Sequence, residues 1–473
     1  MTPPKSTVSR SQWLAVGAMA LGVFVIANDF TALSVAIPRI EADLHTSLNR
    51  AQWVINGYAL VFGVLIVTGG RLADLFGRRR MFMIGASIFG FFSLLAGLMP
   101  TVNLLIVFRA LMGIGGAIMW PAALGLTYMI LPASKKGLAG GLILGVGGLG
   151  NAVGPMLGGW LTDVATWRLV FFINLPITLF AMFVTAREVP ESVTESAERS
   201  IDYLGIGLLS AGAIAVLLAL DLGTDGGFGR PLIVGLIAGG VLLLVLFFLI
   251  ERREGGKALV PADVTRNSVF SASCLTVLLM SAIFFSALLY LPQFMEKELA
   301  FSALRSGAGL LPLMIVFAAT SFAAGWLYGR LGPKIVVTAG TACLAIGILW
   351  LSALTAASSY PSLLPGMVVL GVGTGLFYSS VTTAAVTALD PSQSSLAGGI
   401  VYMCQVAGGA IGLGLNTAIV LSAASLTGGI RVAFRVDAIL GLAGTVVAVW
   451  LVHGPRSSAA HAASSHAHHR LSV

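Results

Sequence analysis

Charge is what this chain lacks. Of 473 residues only 27 are Lys or Arg and 19 are Asp or Glu, 10% together, where a water-soluble domain carries about 25%. So few charges cannot cover a folded domain of this length, which excludes a soluble enzyme. Cysteine is scarce too. Cys274, Cys343 and Cys404 each lie inside an apolar run, and a scattered, odd count speaks against a disulfide framework or a zinc site. They read as small apolar side chains. No Walker-type phosphate loop, nucleophile elbow or metalloprotease helix occurs, so nothing indicates ATP use, covalent catalysis, a metal or a cofactor.

What the chain has is apolar length and glycine. Hydrophobic residues make up 57% of it and mean hydropathy is +0.96, enough for about 13 or 14 spans of ~20 residues. The 58 glycines are well above the usual ~7%, and in an apolar chain they point to closely crossing helices. The fold class expected is an all-α polytopic membrane protein. A net charge of +8 raises the question of nucleic acid. The basic residues sit in short gaps between apolar runs rather than on one face, so membrane orientation explains them better.

Apolar runs lie at 13–37, 52–70, 82–99, 102–131, 137–161, 168–185, 201–220, 231–250, 268–291, 306–327, 335–355, 362–386, 396–422 and 433–452, fourteen expected spans. The first is too long for a signal-peptide core and lacks a small-residue cleavage site. With the N-terminus cytoplasmic, roughly two-thirds of the basic residues fall inside, including Arg78-Arg79-Arg80 and Arg252-Arg253, which predicts both termini cytoplasmic. An internal repeat divides the chain. Leu131-x-x-Ser134-x-x-x-Leu138-Ala139-Gly140-Gly141 recurs as Leu389-x-x-Ser392-x-x-x-Leu396-Ala397-Gly398-Gly399, and the same offset pairs Gly113 with Gly371 and Gly150 with Gly408. Two parallel repeats are implied: a cytoplasmic N-terminus (1–12), a six-helix bundle (13–185), a linker with two extra helices (186–267), a second six-helix bundle (268–452) and a disordered cytoplasmic tail (453–473). The tail holds His461, His466, His468 and His469 at no spacing that defines a metal site.

Two ionisable residues stand within spans. Asp29 lies about 24 Å along the first span from Trp13, and an intramembrane acid is a functional candidate unless it is permanently paired or caps a broken helix. Arg109 shares a face with Gly113 and Ala117 and so faces the bundle; it either stabilises a carboxylate or proton relay, or bonds fixed backbone carbonyls. Sequence does not show contact between the two. Asp221 and Asp437 sit near expected outer span ends, where terminal snorkelling is the simpler reading. Glu296 and Glu298 fall in an outside loop, which leaves the second bundle without a clear mid-span acid. Asn56, Tyr58, Trp120 and Asn151 in the first bundle, with Tyr290, Tyr378, Tyr402, Gln405 and Asn416 in the second, are candidates for an aromatic-walled cavity; each is equally compatible with packing or lipid anchoring.

The short loop after the second span reads Gly70-x-Leu72-Ala73-Asp74-x-x-Gly77-Arg78-Arg79-Arg80. A carboxylate there can accept bonds from an arginine or from a neighbouring helix N-terminus, a latch remade as two bundles rock. This segment resembles the cytoplasmic loop signature of the major facilitator superfamily; its counterpart at 325–334 has Gly329 where the acid would be. Arg109-x-x-x-Gly113 resembles that family's fourth-span motif. Gly150-Asn151-x-x-Gly154-Pro155-x-x-Gly158-Gly159 resembles the antiporter motif of its exporters, and its glycines at every fourth residue permit a close backbone crossing beside a proline bend. Asp29-x-Thr31 with Val35-Ala36-Ile37-Pro38, Trp167-Arg168-x-x-Phe171-Phe172-Ile173-Asn174-x-Pro176, and Leu291-Pro292-Gln293 with Gly307-x-Gly309 are similar to the fourteen-span drug:proton antiporter (DHA2-type) branch. The resemblance implies an exporter of small lipophilic substrates working in exchange for protons in the cytoplasmic membrane; a monomer is expected, with the oligomeric state left open by the sequence. Asp29 and Arg109 would serve proton coupling, and Gly70, Asp74, Gly77, Arg78 and Arg79 the latch. Export of an endogenous lipid or metabolite, and proton-coupled uptake on the same fold, remain alternatives.

Overall fold

In lipid every backbone polar group must be satisfied within the protein, and a chain this apolar meets that demand with helices. The computed structural model describes residues 8–191, 202–226, 229–254 and 258–451. The expected disordered tail lies outside the described residues, as do the side chains of Asp221, Arg252 and Arg253. Twelve described helices are long and apolar enough to cross a membrane. One of them, Arg305–Leu351, changes direction at Gly332, which has φ 79°, and so supplies two spans; Tyr203–Ala219 is a shorter apolar helix.

The fourteen are α1 (Arg10–Asp43), α2 (Leu48–Phe76), α3 (Arg78–Leu98), α4 (Val102–Ile130), α5 (Lys136–Val164) and α6 (Leu169–Glu188, interrupted at Ile173). Then come α7 (Tyr203–Gly226), α8 (Pro231–Glu254), α9 (Ser268–Lys297), α10 (311–331), α11 (333–351), α12 (Tyr360–Thr387), α13 (Ser394–Leu421) and α14 (Leu426–Leu451). Their ends follow local chemistry. Ser9 and Gln12 form a reciprocal capping box at the start of α1, Thr101 caps α4 and Asn267 caps α9. Between α2 and α3 the chain turns at Gly77 alone, at φ 100°, a conformation open to glycine and costly for other residues.

Helices α1–α6 pack on one another, and α9–α14 do likewise; the two groups meet where α5 lies along α10 and α12 and where α2 and α4 lie along α13. The α7–α8 hairpin packs mainly on itself, with α7 touching α2 and α13. Large apolar side chains such as Trp160, Phe180, Leu232 and Trp450 point outward, the surface that hydrocarbon requires.

Glycine sets the tightest crossings. At the bundle seam a Cβ on Gly137 would lie 2.6 Å from the Gly325 carbonyl oxygen. On its other half α5 crosses α1. A Cβ at Gly150 would stand 2.8 Å from Phe24 O, and at Gly154 and Gly158 it would collide with Thr31 Oγ1 and Ala32 O. Gly159 is buried beside them and Pro155 is half-buried. Gly158→Val forces these backbones apart, an overpacking cost of about 1–3 kcal/mol. Its unfolding temperature in detergent should fall below that of Gly17→Val, which meets open space; equal losses would contradict the crossing.

Candidate functional site

Asp29 on α1 and Arg109 on α4 are both completely buried, and their side chains form an ion pair through Asp29 Oδ2 and Arg109 Nη1. Either charge alone at this depth carries a desolvation penalty of several kcal/mol. The second carboxylate oxygen, Oδ1, accepts from Asn174 Nδ2 at 2.9 Å. Asn174 also donates to Ser93 Oγ at 3.1 Å, and Ser93 donates to Phe171 O at 2.9 Å. Arg109 is held on α2 as well: Nε donates to Val54 O at 2.8 Å, and the guanidinium lies 4.3 Å from the centre of the Tyr58 ring. Four helices thus converge on one ion pair. The guanidinium meets both a carboxylate and a fixed carbonyl, so the two readings of Arg109 coexist. Asn174 and Ser93 were not singled out from sequence; Asn174 lies in the Trp167–Pro176 segment and is fully buried.

The second bundle corrects the reading of Asp437. It is not a snorkelling residue at a span end but fully buried within α14, because α9 and α13 enclose it. Asn416 Nδ2 lies 3.0 and 2.9 Å from its two oxygens and 2.9 Å from Ser286 Oγ. The second bundle does carry an intramembrane acid. Glu298 is half-buried and accepts from Thr427, while Glu296 is exposed.

Between the bundles lies a cavity of about 250 Å³ lined by Phe30, Trp53, Asn56, Phe285, Val406 and Leu413 among others. Most of this lining is apolar, and a drug-sized site needs about 300–1,000 Å³, so a bulky ligand requires further opening. Of the cavity candidates, Asn56 lines it. Trp120 and Tyr402 meet across the seam with ring centres 4.8 Å apart and planes tilted by 56°, and Phe62 packs edge-on to both. Tyr58 is buried beneath Arg109. Tyr378 and Tyr290 bond Ser281 and Thr417 within the second bundle. Asn151 and Gln405 are half-buried, and the Asn151 carbonyl accepts from Thr31 Oγ1 at 3.2 Å.

At the Arg78 end the bundles are clamped. Asp74 accepts from the backbone N–H of Leu396 at 2.8 Å and Ser395 at 3.2 Å, the free N–H groups of the first turn of α13. Arg78 Nε donates to Asp74 at 2.9 Å and its Nη2 to Pro391 O at 2.5 Å. Asp390 folds the turn that presents this carbonyl; the Ser392 hydrogen bonds hold its carboxyl below the usual carboxylate range. Gly70 lets α2 touch α13, since a Cβ there would lie 2.5 Å from Ser395 O. Tyr128 and Thr383 add a hydroxyl pair across the seam at 2.9 Å. Arg79 does not reach the seam: it donates to Ala186 O at the end of α6. A methyl group added at Gly329, which stands where the first repeat has Asp74, would meet nothing within 4 Å.

Two substitutions separate pair from latch. Arg109→Ala leaves Asp29 as an uncompensated buried charge and should cost about 3–5 kcal/mol in thermal unfolding, with Asp29→Asn in the same chain restoring much of it; an unrestored loss would contradict the pairing. Asp74→Ala removes the anion from the α13 N-terminus, about 0.5–2 kcal/mol. Spin labels at Arg80 and Leu331 should then report a longer distance in a larger fraction of molecules, and an unchanged distribution would argue against the clamp.

Comparison with known proteins agrees with this architecture. The family model described as Major Facilitator Superfamily matches residues 19–202, 203–412 and 313–472. The tetracenomycin C resistance and export protein of Streptomyces glaucescens is 33% identical over 412 residues, 86% of this chain and 76% of that protein. The puromycin resistance protein of Streptomyces alboniger is 34% identical over 86% of this chain and 81% of its own. The cephamycin export protein of Amycolatopsis lactamdurans is 30% identical over 95% and 92%. The crystal structure of the human organic anion transporter TETRAN superposes with a TM-score of 0.67 at 14% identity, covering 94% of this chain and all of that one; this likeness is one of fold. The chain belongs to the major facilitator superfamily.

Proposed function

We propose that this multi-pass protein exports lipophilic or amphipathic small molecules, antibiotics among them, across a bacterial cytoplasmic membrane in exchange for protons. The observation that carries the reading is the buried Asp29–Arg109 pair placed one residue from a wall of the inter-bundle cavity: Asp29 is buried and its neighbour Phe30 lines the cavity. Relatives named for antibiotic resistance and export support the substrate class. The cavity is lined entirely by residues of this one chain, which supports a monomer. Arg10 and Arg78-Arg79-Arg80 lie at one end of the molecule, since Ser11 and Arg79 both bond the end of α6, and this basic cluster supports a cytoplasmic reading of that end.

In this reading the latch closes the cytoplasmic side and the cavity serves the outer one. A proton arriving at Asp29 neutralises the carboxylate and dissolves its pairing with Arg109, which the Val54 carbonyl and the Tyr58 ring keep on α2. Helix α1 is then free to shift against α4. Because α1 is locked to α5 by the Gly150–Gly158 crossing, and α5 runs along α10, that shift reaches the seam between the bundles. Loss of the seam contacts opens the cytoplasmic side, where substrate binding is favoured by a deprotonated, re-paired Asp29. Protons and substrate thus compete through one conformational equilibrium.

Everted membrane vesicles acidified inside test the exchange. Adding puromycin, tetracenomycin C, a cephamycin or ethidium should release protons from wild-type vesicles for those compounds to which the protein confers resistance in a sensitive strain. Asp29→Asn at equal expression should abolish both responses. Resistance without proton release, or full resistance in Asp29→Asn, would contradict proton coupling at this residue.

A further inference from the structure

Asp437 is a buried acid that the mechanism above does not use. Its surroundings differ from those of Asp29 in one respect that decides its charge. Asp29 has a guanidinium against it; Asp437 has neutral partners. Asn416 on α13 donates to it and Ser286 on α9 accepts from the same amide. Tyr290 on α9 is the titratable group whose hydroxyl faces it, and that hydroxyl is bonded to Thr417. Helix α11 meets α14 through Ala345 against Gly441, and the ion pairs among the described residues include none to Arg431 or Arg435 on α14 itself. A carboxylate buried without a cation carries a desolvation penalty of several kcal/mol, which the neutral acid avoids.

The amide beside it suits two protonation states. Asn416 Oδ1 is buried without a hydrogen-bond partner, while Nδ2 faces both carboxyl oxygens. With the carboxylate charged, Nδ2 donates to it as observed. With the acid neutral, a turn of the amide sets Oδ1 to accept the carboxyl O–H while Nδ2 donates to the other oxygen, and Ser286 Oγ can serve as donor or acceptor in either case. The cluster also borders the transport cavity, since Phe285, Leu413 and Gly414 line it and stand one to three residues from Ser286 and Asn416. Both bundles therefore bring a carboxyl–amide–hydroxyl cluster against the same space: Asp29, Asn174 and Ser93 on one side, Asp437, Asn416 and Ser286 on the other.

We propose that Asp437 is a second proton-binding site, in the C-terminal bundle, neutral when enclosed as here and exchanging its proton when opening of the cavity admits water. Its use in transport rests on the proton-coupled reading above; its existence as a titrating site does not. Infrared difference spectroscopy of the purified full chain in lipid, titrated with pH and without substrate, reads the carbonyl stretch of protonated carboxyl groups directly. Of the protonated-carboxyl bands that titrate in wild type, one should persist in Asp29→Asn, vanish in Asp437→Asn, and be displaced in pH midpoint in Asp437→Glu. The last variant retains an acid if the first folds poorly. An Asp437→Asn spectrum that loses none of the titrating bands of the wild type, or a band lost there that is present at every pH in the wild type, would overturn the proposal. A titrating Asp437 band in a protein whose vesicles release no protons would instead keep the site and overturn the exporter reading, so the two fail separately.

Discussion

A charge enclosed by hydrocarbon and protein must find its partner on another helix, and the Asp29–Arg109 pair is where that constraint shapes this molecule most. The guanidinium binds α1 through Asp29 and α2 through the Val54 carbonyl, while Asn174 ties the same carboxylate to α6. Each of these bonds lies where water does not compete, so each is stronger than its equivalent at a surface. The same dryness makes the arrangement conditional. In the proposed mechanism one proton on Asp29 releases α1 from Arg109, while the Val54 carbonyl still holds the guanidinium on α2.

The latch at the other end obeys a different logic. Asp74 and Arg78 hold the bundles together through backbone groups of α13 and the turn before it, so the clamp depends on where that helix begins rather than on a second acidic residue. It is a contact between bundles, whereas the Asp29 cluster is a contact within one. A state change needs the second to influence the first. The glycine crossing of α1 on α5 supplies a rigid connection, because packed backbones without intervening side chains cannot slide independently. The segment resembling an antiporter motif thus acts on α1 rather than on the opposite bundle, with α5 contacting α10 by an earlier set of glycines.

Much of this was legible in the sequence because membrane proteins spend charge sparingly. Few ionisable residues occur within spans, so Asp29 and Arg109 stood out, and glycines at every fourth residue marked a helix crossing. The fourteen spans followed from apolar length. Partners were not legible: nothing local to Asp29 indicates that Asn174, far along the chain, would reach it. Asp437 misled for a related reason. Its place in α14, between Arg435 and the apolar run that follows, looks like a span end, and only the packing of α9 and α13 around it makes it an interior residue. Tyr58, a candidate for the cavity wall, proved to lie under the guanidinium because the face of a helix that meets a cavity depends on its neighbours.

The central claim is that proton and substrate occupy the protein competitively through Asp29. Linkage makes this measurable at equilibrium, in detergent, with any compound to which the protein confers resistance. The affinity of the wild type should weaken as pH falls, by up to about tenfold per pH unit for one competing proton, with matching proton release into weak buffer on binding. The Asp29→Asn variant should bind with an affinity that no longer follows this dependence. Affinity independent of pH in the wild type, with no proton released, would contradict the account.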